Sequence, residues 1–196
     1  MTFLLSFIAV LLAIAFIGLQ FVDGYKSQII AGNIIKDAFA VENLKANVHW
    51  RGYEFMIGIF FIAGITAGLI YITRKGKIKQ GIVILFITTL ITTNLIIVII
   101  TPKVEQYAQA AALEFYKQVK NEDCYITTLG FKSYAYLFYS QTQAEQNRDT
   151  MLTGKINKPA YFVSKINYQE NVKNDYPFLK EIGRKNGFIF WVRPKD

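Results

Sequence analysis

Cysteine and histidine are nearly missing from this chain, which holds one of each, Cys124 and His49, in 196 residues. A lone cysteine excludes an intrachain disulfide, and one histidine with one cysteine falls short of the usual zinc ligand sets. Cys124 opens an apolar, strand-like run and reads as a small buried hydrophobe. Neither a metal nor a cofactor is expected. Also missing are a glycine-rich phosphate loop, a GxSxG elbow, an HExxH pair and the kinase signatures. The adjacent acidic pair Glu122-Asp123 precedes a strand, whereas α/β sheets carry their ligands beyond strand C-termini, so it reads as a solvated turn. No catalytic residue is assigned. The net charge of +8 divides evenly, +4 in residues 1–102 and +4 in residues 103–196. No strongly basic module stands out, and nucleic acid is not an expected partner. Internal repeats and low-complexity segments are absent too.

Charge itself is missing from three long runs: Thr2–Val22, Phe55–Thr73 and Gln80–Thr101. At ~1.5 Å rise per residue each is long enough to cross a ~30 Å hydrocarbon core. The first lacks a basic leader and a small-x-small cleavage site, so it reads as a retained span rather than a signal peptide. Between the second and third runs lies RKGKIK, residues 74–79, with four positive charges and no acid. A link this short makes an antiparallel helical hairpin, and its dense basic charge places the turn in the cytoplasm. The loop of residues 23–54 also holds four basic residues, but balances them with Asp23, Asp37, Glu42 and Glu54. These features predict a multi-pass membrane protein, with its N-terminus inside and both the 23–54 loop and the C-terminal domain outside.

Residues 1–102 are thus expected to form a transmembrane region with spans at about 2–22, 55–73 and 80–101. Within the outer loop, Ile30, Ile34, Ile35, Ala38, Val41 and Leu44 recur at helical spacing and predict a surface-lying helix over Ser27–Val48. Trp50 and Arg51 follow, just before the second span. They read either as an interfacial anchor at headgroup level or as a lining for a lipid-linked substrate. In the second span, Gly64 and Gly68 are spaced for close helix packing. Asn94, the strongly polar residue deep in the third span, is expected to face another helix.

Residues 103–196 read as a soluble domain. The expected elements are a helix Lys103–Lys120, a strand Cys124–Leu129, a short helix Phe131–Ser140 and a polar link Gln141–Asp149. A helical turn near Thr150–Leu152, a strand Ala160–Ile166 and a helix Tyr168–Asn186 bent at Pro177 follow. A last strand covers Phe188–Arg193. Alternating strands and helices predict a small α/β domain with a mainly parallel three-stranded sheet. Parallel strands put their C-terminal ends on one edge, which would gather Lys132, Lys165 and Arg193 there. Three such cations are candidate contacts for membrane phosphate or for the phosphate of a lipid carrier, against the alternative of three unrelated solvated side chains.

The runs YITTLGFKSYAYLFY (125–139), KPAYFVSKI (158–166) and KNGFIFWVRP (185–194), with KDAFAVENLKANVHWRGYE (36–54) upstream, resemble the C-terminal region of bacterial ArnT-like membrane glycosyltransferases. These belong with the protein mannosyltransferase superfamily. The resemblance implies a polyprenyl-phosphate-linked sugar donor and transfer on the periplasmic face. It also implies that catalytic carboxylates lie in an N-terminal half, to which nothing here corresponds. The expectation is therefore the C-terminal part of such an enzyme, inactive alone and supporting a multi-span catalytic half. The alternative is a membrane-anchored periplasmic binding or assembly module without catalysis.

Overall fold

The computed structural model describes residues 2–74, 76–141 and 148–196. Lys75 of the basic turn and most of the polar link, residues 142–147, lie outside the described residues. The chain divides into two compact units, one of residues 1–32 and 47–105, the other of residues 33–46 and 106–196. The boundary is therefore not a single cut after residue 102, because part of the 23–54 loop groups with the C-terminal half.

In the first unit, α1 (Thr2–Ala31), α3 (Met56–Thr73) and α4 (Ile78–Leu95) supply the apolar helices. Two helices, Met56–Thr73 and Ile78–Ala108, are long and apolar enough to cross a membrane. The first run departs from the straight span expected. It bends by 74° between Ser6–Leu19 and Phe21–Ala31, so a third span exists only if this bent pair counts as one. Residues 6–19 alone reach roughly 21 Å, short of a ~30 Å core.

Small side chains bring these helices together. A Cβ placed on Gly58 of α3 would lie 2.9 Å from the carbonyl oxygen of Ala13 in α1. One on Gly68 would lie 2.6 Å from Leu85 in α4, and one on Gly81 would lie 2.7 Å from the Gly68 carbonyl. Gly64 meets Thr88 in the same seam. The Gly64–Gly68 pair is thus where α3 and α4 touch, as small-residue seams do in membranes. Asn94 does not face a neighbouring helix as expected. Its side chain is exposed, and its amide nitrogen donates to the Leu90 carbonyl one turn back at 2.8 Å.

The third span was expected over about residues 80–101, stopping short of Pro102. Instead the helix runs on to Ala108 through a π turn, Ile96–Ile100, followed by α5 (Thr101–Ala108). A helical proline lacks an N–H and its ring crowds the carbonyl four residues back. The wider π turn relieves that crowding, and the Thr101 N–H takes the Ile96 carbonyl five residues back.

In the second unit a four-stranded sheet has the order β1-β2-β4-β3, with β1 Tyr125–Leu129, β2 Ala160–Lys165, β3 Lys180–Lys185 and β4 Phe188–Arg193. β1 and β2 are parallel; β4 is antiparallel to both β2 and β3. The sheet is mixed and four-stranded rather than mainly parallel and three-stranded. The helix expected over Tyr168–Asn186 is in fact α9 (Gln169–Asp175), which ends before Pro177, followed by strand β3. Asn186 and Gly187 both have positive φ, +44° and +76°, which a two-residue hairpin turn of the I′ type requires. Hence β4 must return antiparallel.

Side chains alternate between the two faces. Ile126, Val163, Phe188 and Phe190 meet α6 (Ala110–Gln118), where Phe115 stacks on Phe190 at 4.3 Å. Phe162, Ile189 and Trp191 meet Met151 and Leu152 of α8 (Arg148–Thr153) and Val172 of α9. The indole N–H of Trp191, buried, donates to Ser164 Oγ at 2.8 Å. Cys124 is buried as expected, and its burial, with Glu122 and Asp123 alongside, pushes the thiol up to about 11.

The surface-lying helix expected over Ser27–Val48 is replaced by the end of α1 and a short α2 (Ala38–Leu44) that packs on this unit. Asp37 caps α2 by accepting the amides of Phe39 and Ala40, and Asn167 donates to the same carboxylate at 3.0 Å. The Phe39 ring meets Phe188 edge-on at 5.1 Å.

A bulky side chain at the α3–α4 seam should therefore act as overpacking. Gly81→Val, which would meet both the Ile72 side chain and the Gly68 carbonyl oxygen, is expected to cost about 1–3 kcal/mol. Thermal unfolding in detergent should show a lower midpoint for Gly81→Val, with Ile82→Val on the exposed side as a near-neutral control.

Candidate anion-binding site

The segment after β1 builds the candidate site. Gly130 turns at φ +75° with the Tyr168 ring against it, and a Cβ there would fall 2.5 Å from Tyr168 Cδ1. Glycine is required on both counts. Thr128 Oγ1 then donates to the Phe131 carbonyl at 2.8 Å, folding the chain back over the end of the strand. Ser133 Oγ accepts the Ala135 amide at 3.3 Å, which starts α7 (Ala135–Ser140).

This turn carries Lys132 out beside Lys165, the last residue of the neighbouring parallel strand. Both line one cavity of about 220 Å³, with Phe39, Phe131, Tyr116 and Phe188 among its other walls. The Lys165 ammonium lies 4.6 Å from the centre of the Phe39 ring and 5.5 Å from that of Phe131. Cation–π contact with two rings holds the ammonium without neutralising it. Asn167, the amides of Ala40 and Phe39, and the charge of Lys165 together keep the Asp37 carboxyl below the usual range.

Of the three cations expected together, two are. Arg193 ends a strand that runs the other way, and it pairs in register with Ala160 while Lys165 pairs with Phe188. It therefore lies at the opposite edge of the sheet. There its guanidinium donates to the Met151 carbonyl at 3.0 Å and pairs with Asp196 at 2.9 Å. It acts as a clamp on the chain terminus. A cation that the sequence did not single out takes its place. Arg148, at the start of α8, lines two further cavities of about 310 and 300 Å³, both shared with Phe131 and Lys132. Tyr116 was missed as well, although it is the most informative wall. Its hydroxyl is buried without a hydrogen-bond partner, and no sequence signal announces that.

At the sheet's other edge, Glu122 accepts the Tyr161 hydroxyl at 2.8 Å and Asp123 pairs with Lys158. These carboxylates hold strand ends together. Among the described residues, no three His, Cys, Asp or Glu side chains form a group able to hold a metal ion.

Trp50 and Arg51 belong to the first unit, where they surround a buried carboxylate. Glu54, 1% exposed, accepts the amides of Arg51 and Gly52, each at 2.9 Å, and pairs with Lys103 at 3.0 Å. Lys103 also donates to the His49 carbonyl and lies 5.2 Å from the Trp50 ring centre. Arg51 donates to the Tyr53 hydroxyl at 2.9 Å. Burial alone would raise the Glu54 carboxyl, but the amides and Lys103 outweigh it and hold it at about 2, against an ordinary 4.5.

No protein-family model, curated protein sequence or solved structure matches this chain.

The Glu54 knot predicts a definite pH dependence. The unfolded carboxyl takes its proton at a higher pH than the folded one, so the knot stabilises fully above about pH 4.5. That contribution falls away between about 4.5 and 2. Glu54→Gln should melt below the parent at pH 7, and the gap should close as pH drops through that window. A gap unchanged from pH 7 to pH 3 would contradict the knot.

Proposed function

We propose that this chain is a membrane-anchored binding module, in which apolar helices hold the polypeptide in the bilayer and the α/β unit receives an anionic ligand. It supports chemistry carried out elsewhere and performs none itself. The observation that carries this reading is the convergence of Lys132 and Lys165, among aromatic walls, beyond the C-terminal ends of parallel β1 and β2. That edge is where α/β sheets bind ligands, and cations among aromatic side chains suit a phosphate attached to an apolar or cyclic body. In the setting suggested by the sequence resemblance, the partner is a multi-span catalytic half using a polyprenyl-phosphate-linked sugar. The basic turn at residues 74–79 supports an outer position for the α/β unit, which the sequence resemblance makes the periplasmic side of a bacterial inner membrane.

Reporter fusions test the location. Alkaline phosphatase joined after Asp196 should be active, and joined at Gly76 inactive; the reverse pattern overturns the topology. Turnover tests the supporting role. The purified chain should release no sugar from a polyprenyl-phosphate sugar. Release that disappears on Asp37→Asn or Glu42→Gln would show that the chain is a transferase in its own right.

A further inference from the structure

We infer that the cavity walled by Lys132, Lys165 and Tyr116 is a phosphate site, in which two ammonium groups and one buried phenol donate to a phosphomonoester or diphosphate. This inference rests on reading the α/β unit as a binding unit and adds the chemistry of what it binds.

Three observations carry it independently of any sequence likeness. First, among the described residues neither Lys132 nor Lys165 forms an ion pair, although seven other cation–carboxylate pairs form across the described chain. Their two positive charges stand beside one cavity, where mutual repulsion is relieved by an anion between them. Second, the Tyr116 hydroxyl is 1%-exposed residue chemistry left unpaired: a buried donor and acceptor with no partner, on a side chain that lines the same cavity. A buried hydroxyl without a partner carries a standing desolvation penalty, which an incoming acceptor removes. Burial keeps this phenol protonated well beyond its usual range, so it donates a hydrogen bond and adds no negative charge. Third, Asp37, the carboxylate that feels the charge of Lys165, is already held by Asn167 and the first amides of α2.

Size and donor count select the ligand class. At about 220 Å³ the cavity is smaller than the ~300 Å³ at which pockets for drug-sized molecules begin, so it suits a charged headgroup rather than a whole cofactor. Separate donors from three elements match the several oxygens of a phosphate better than the two of a carboxylate. The adjoining cavities share Phe131 and Lys132 and bring in Arg148, which leaves room for a second phosphate or for the body of the ligand. A lipid headgroup and a free phosphate ester both meet this description.

The test uses the full chain in a nonionic detergent, titrated calorimetrically with inorganic phosphate and with dodecyl phosphate. The parent should bind at least one probe. Lys132→Gln with Lys165→Gln should weaken it more than tenfold, and Tyr116→Phe about threefold or more. Lys173→Gln with Lys180→Gln, which removes the same charge from exposed positions elsewhere on the unit, should leave it unchanged. Dodecyl phosphate binding tenfold or more tighter than phosphate assigns a lipid source; comparable affinities assign a free ester. Without probe, Tyr116→Phe should melt at or above the parent temperature, because it removes an unpaired hydroxyl, and saturating probe should raise the parent's midpoint more than the variant's. Equal loss in both double variants, no binding by the parent, or a Tyr116→Phe variant that melts well below the parent without probe overturns the site. None of these outcomes bears on membrane anchoring. Conversely, release of the chain from membranes by alkaline carbonate would overturn the anchored reading while leaving the phosphate site standing.

Discussion

Strand β4 lies between β2 and β3 with side chains covered on both faces, so four consecutive residues, Phe188 to Trp191, must all leave water together. Phe188 and Phe190 go to the α6 side, Ile189 and Trp191 to the side of α8 and α9. At about 1.5–3 kcal/mol for each large apolar side chain fully buried, this one strand supplies a large share of the favourable term for so small a unit. The single polar atom in the set, the indole nitrogen, is satisfied by Ser164 on the adjacent strand, so the burial carries no unpaired donor. The rest of the unit is arranged by what β4 requires. A two-residue turn through Asn186 and Gly187 fixes its direction, and Phe39 from the distant α2 packs against both its first residue and the turn glycine.

Direction then determines charge placement. Because β4 runs against β2, its terminal Arg193 lies beside the start of β2 and not beside Lys165. Had β4 been parallel to β2, Arg193 would have ended beside Lys165. Instead Arg193 is spent on the Met151 carbonyl and Asp196, and the parallel β1–β2 pair alone sets the site. The position left by Arg193 is filled from a different element, the start of α8, whose Arg148 approaches Lys132 through shared cavities. The same edge thus gains its third cation by packing rather than by strand register.

How much of this was legible in the sequence depends on how each element is buried. The uncharged runs announced α3 and α4, and alternation or β-branched runs placed β1, β2 and β4 within a residue or so. β3 was invisible for a physical reason. As an edge strand of the composition Lys-Glu-Ile-Gly-Arg-Lys it buries almost nothing, so it leaves no apolar period to read. Charges and a bulge at Glu181/Gly183 are what protect an exposed edge from pairing with other chains. The Asn-Gly dipeptide at 186–187 was a readable hairpin signal, and the helix expected over Tyr168–Asn186 concealed it. Lys132 and Lys165 could be placed at one edge because parallel pairing of β1 and β2 follows from chain order. Tyr116 was not, because an unpaired hydroxyl is a property of the packed state alone.

Pro102 shows the same principle in the unit of long apolar helices. Read as a sequence, a proline after an apolar run and before a polar stretch marks an end. The helix survives it because the penalty of proline is local: one missing N–H and one crowded carbonyl. A π turn of five residues, Ile96–Ile100, absorbs both by shifting the ladder from four residues back to five, and the Thr101 hydroxyl adds a further bond to the same Ile96 carbonyl at 3.3 Å. β-branched isoleucine and valine around the turn offer no side-chain hydrogen bonds of their own, so the backbone must be satisfied by backbone, as apolar surroundings demand. The consequence is a helix that continues to Ala108 and carries Lys103 with it. There Lys103 meets Glu54, and that buried pair ties the segment before α3 to the far end of the helix that begins at Ile78. A break at Pro102 would have freed Lys103 from the end of that helix, and Glu54 would then have been a buried carboxylate without its cation, which is costly. The continuity of the helix and the burial of the carboxylate therefore depend on each other.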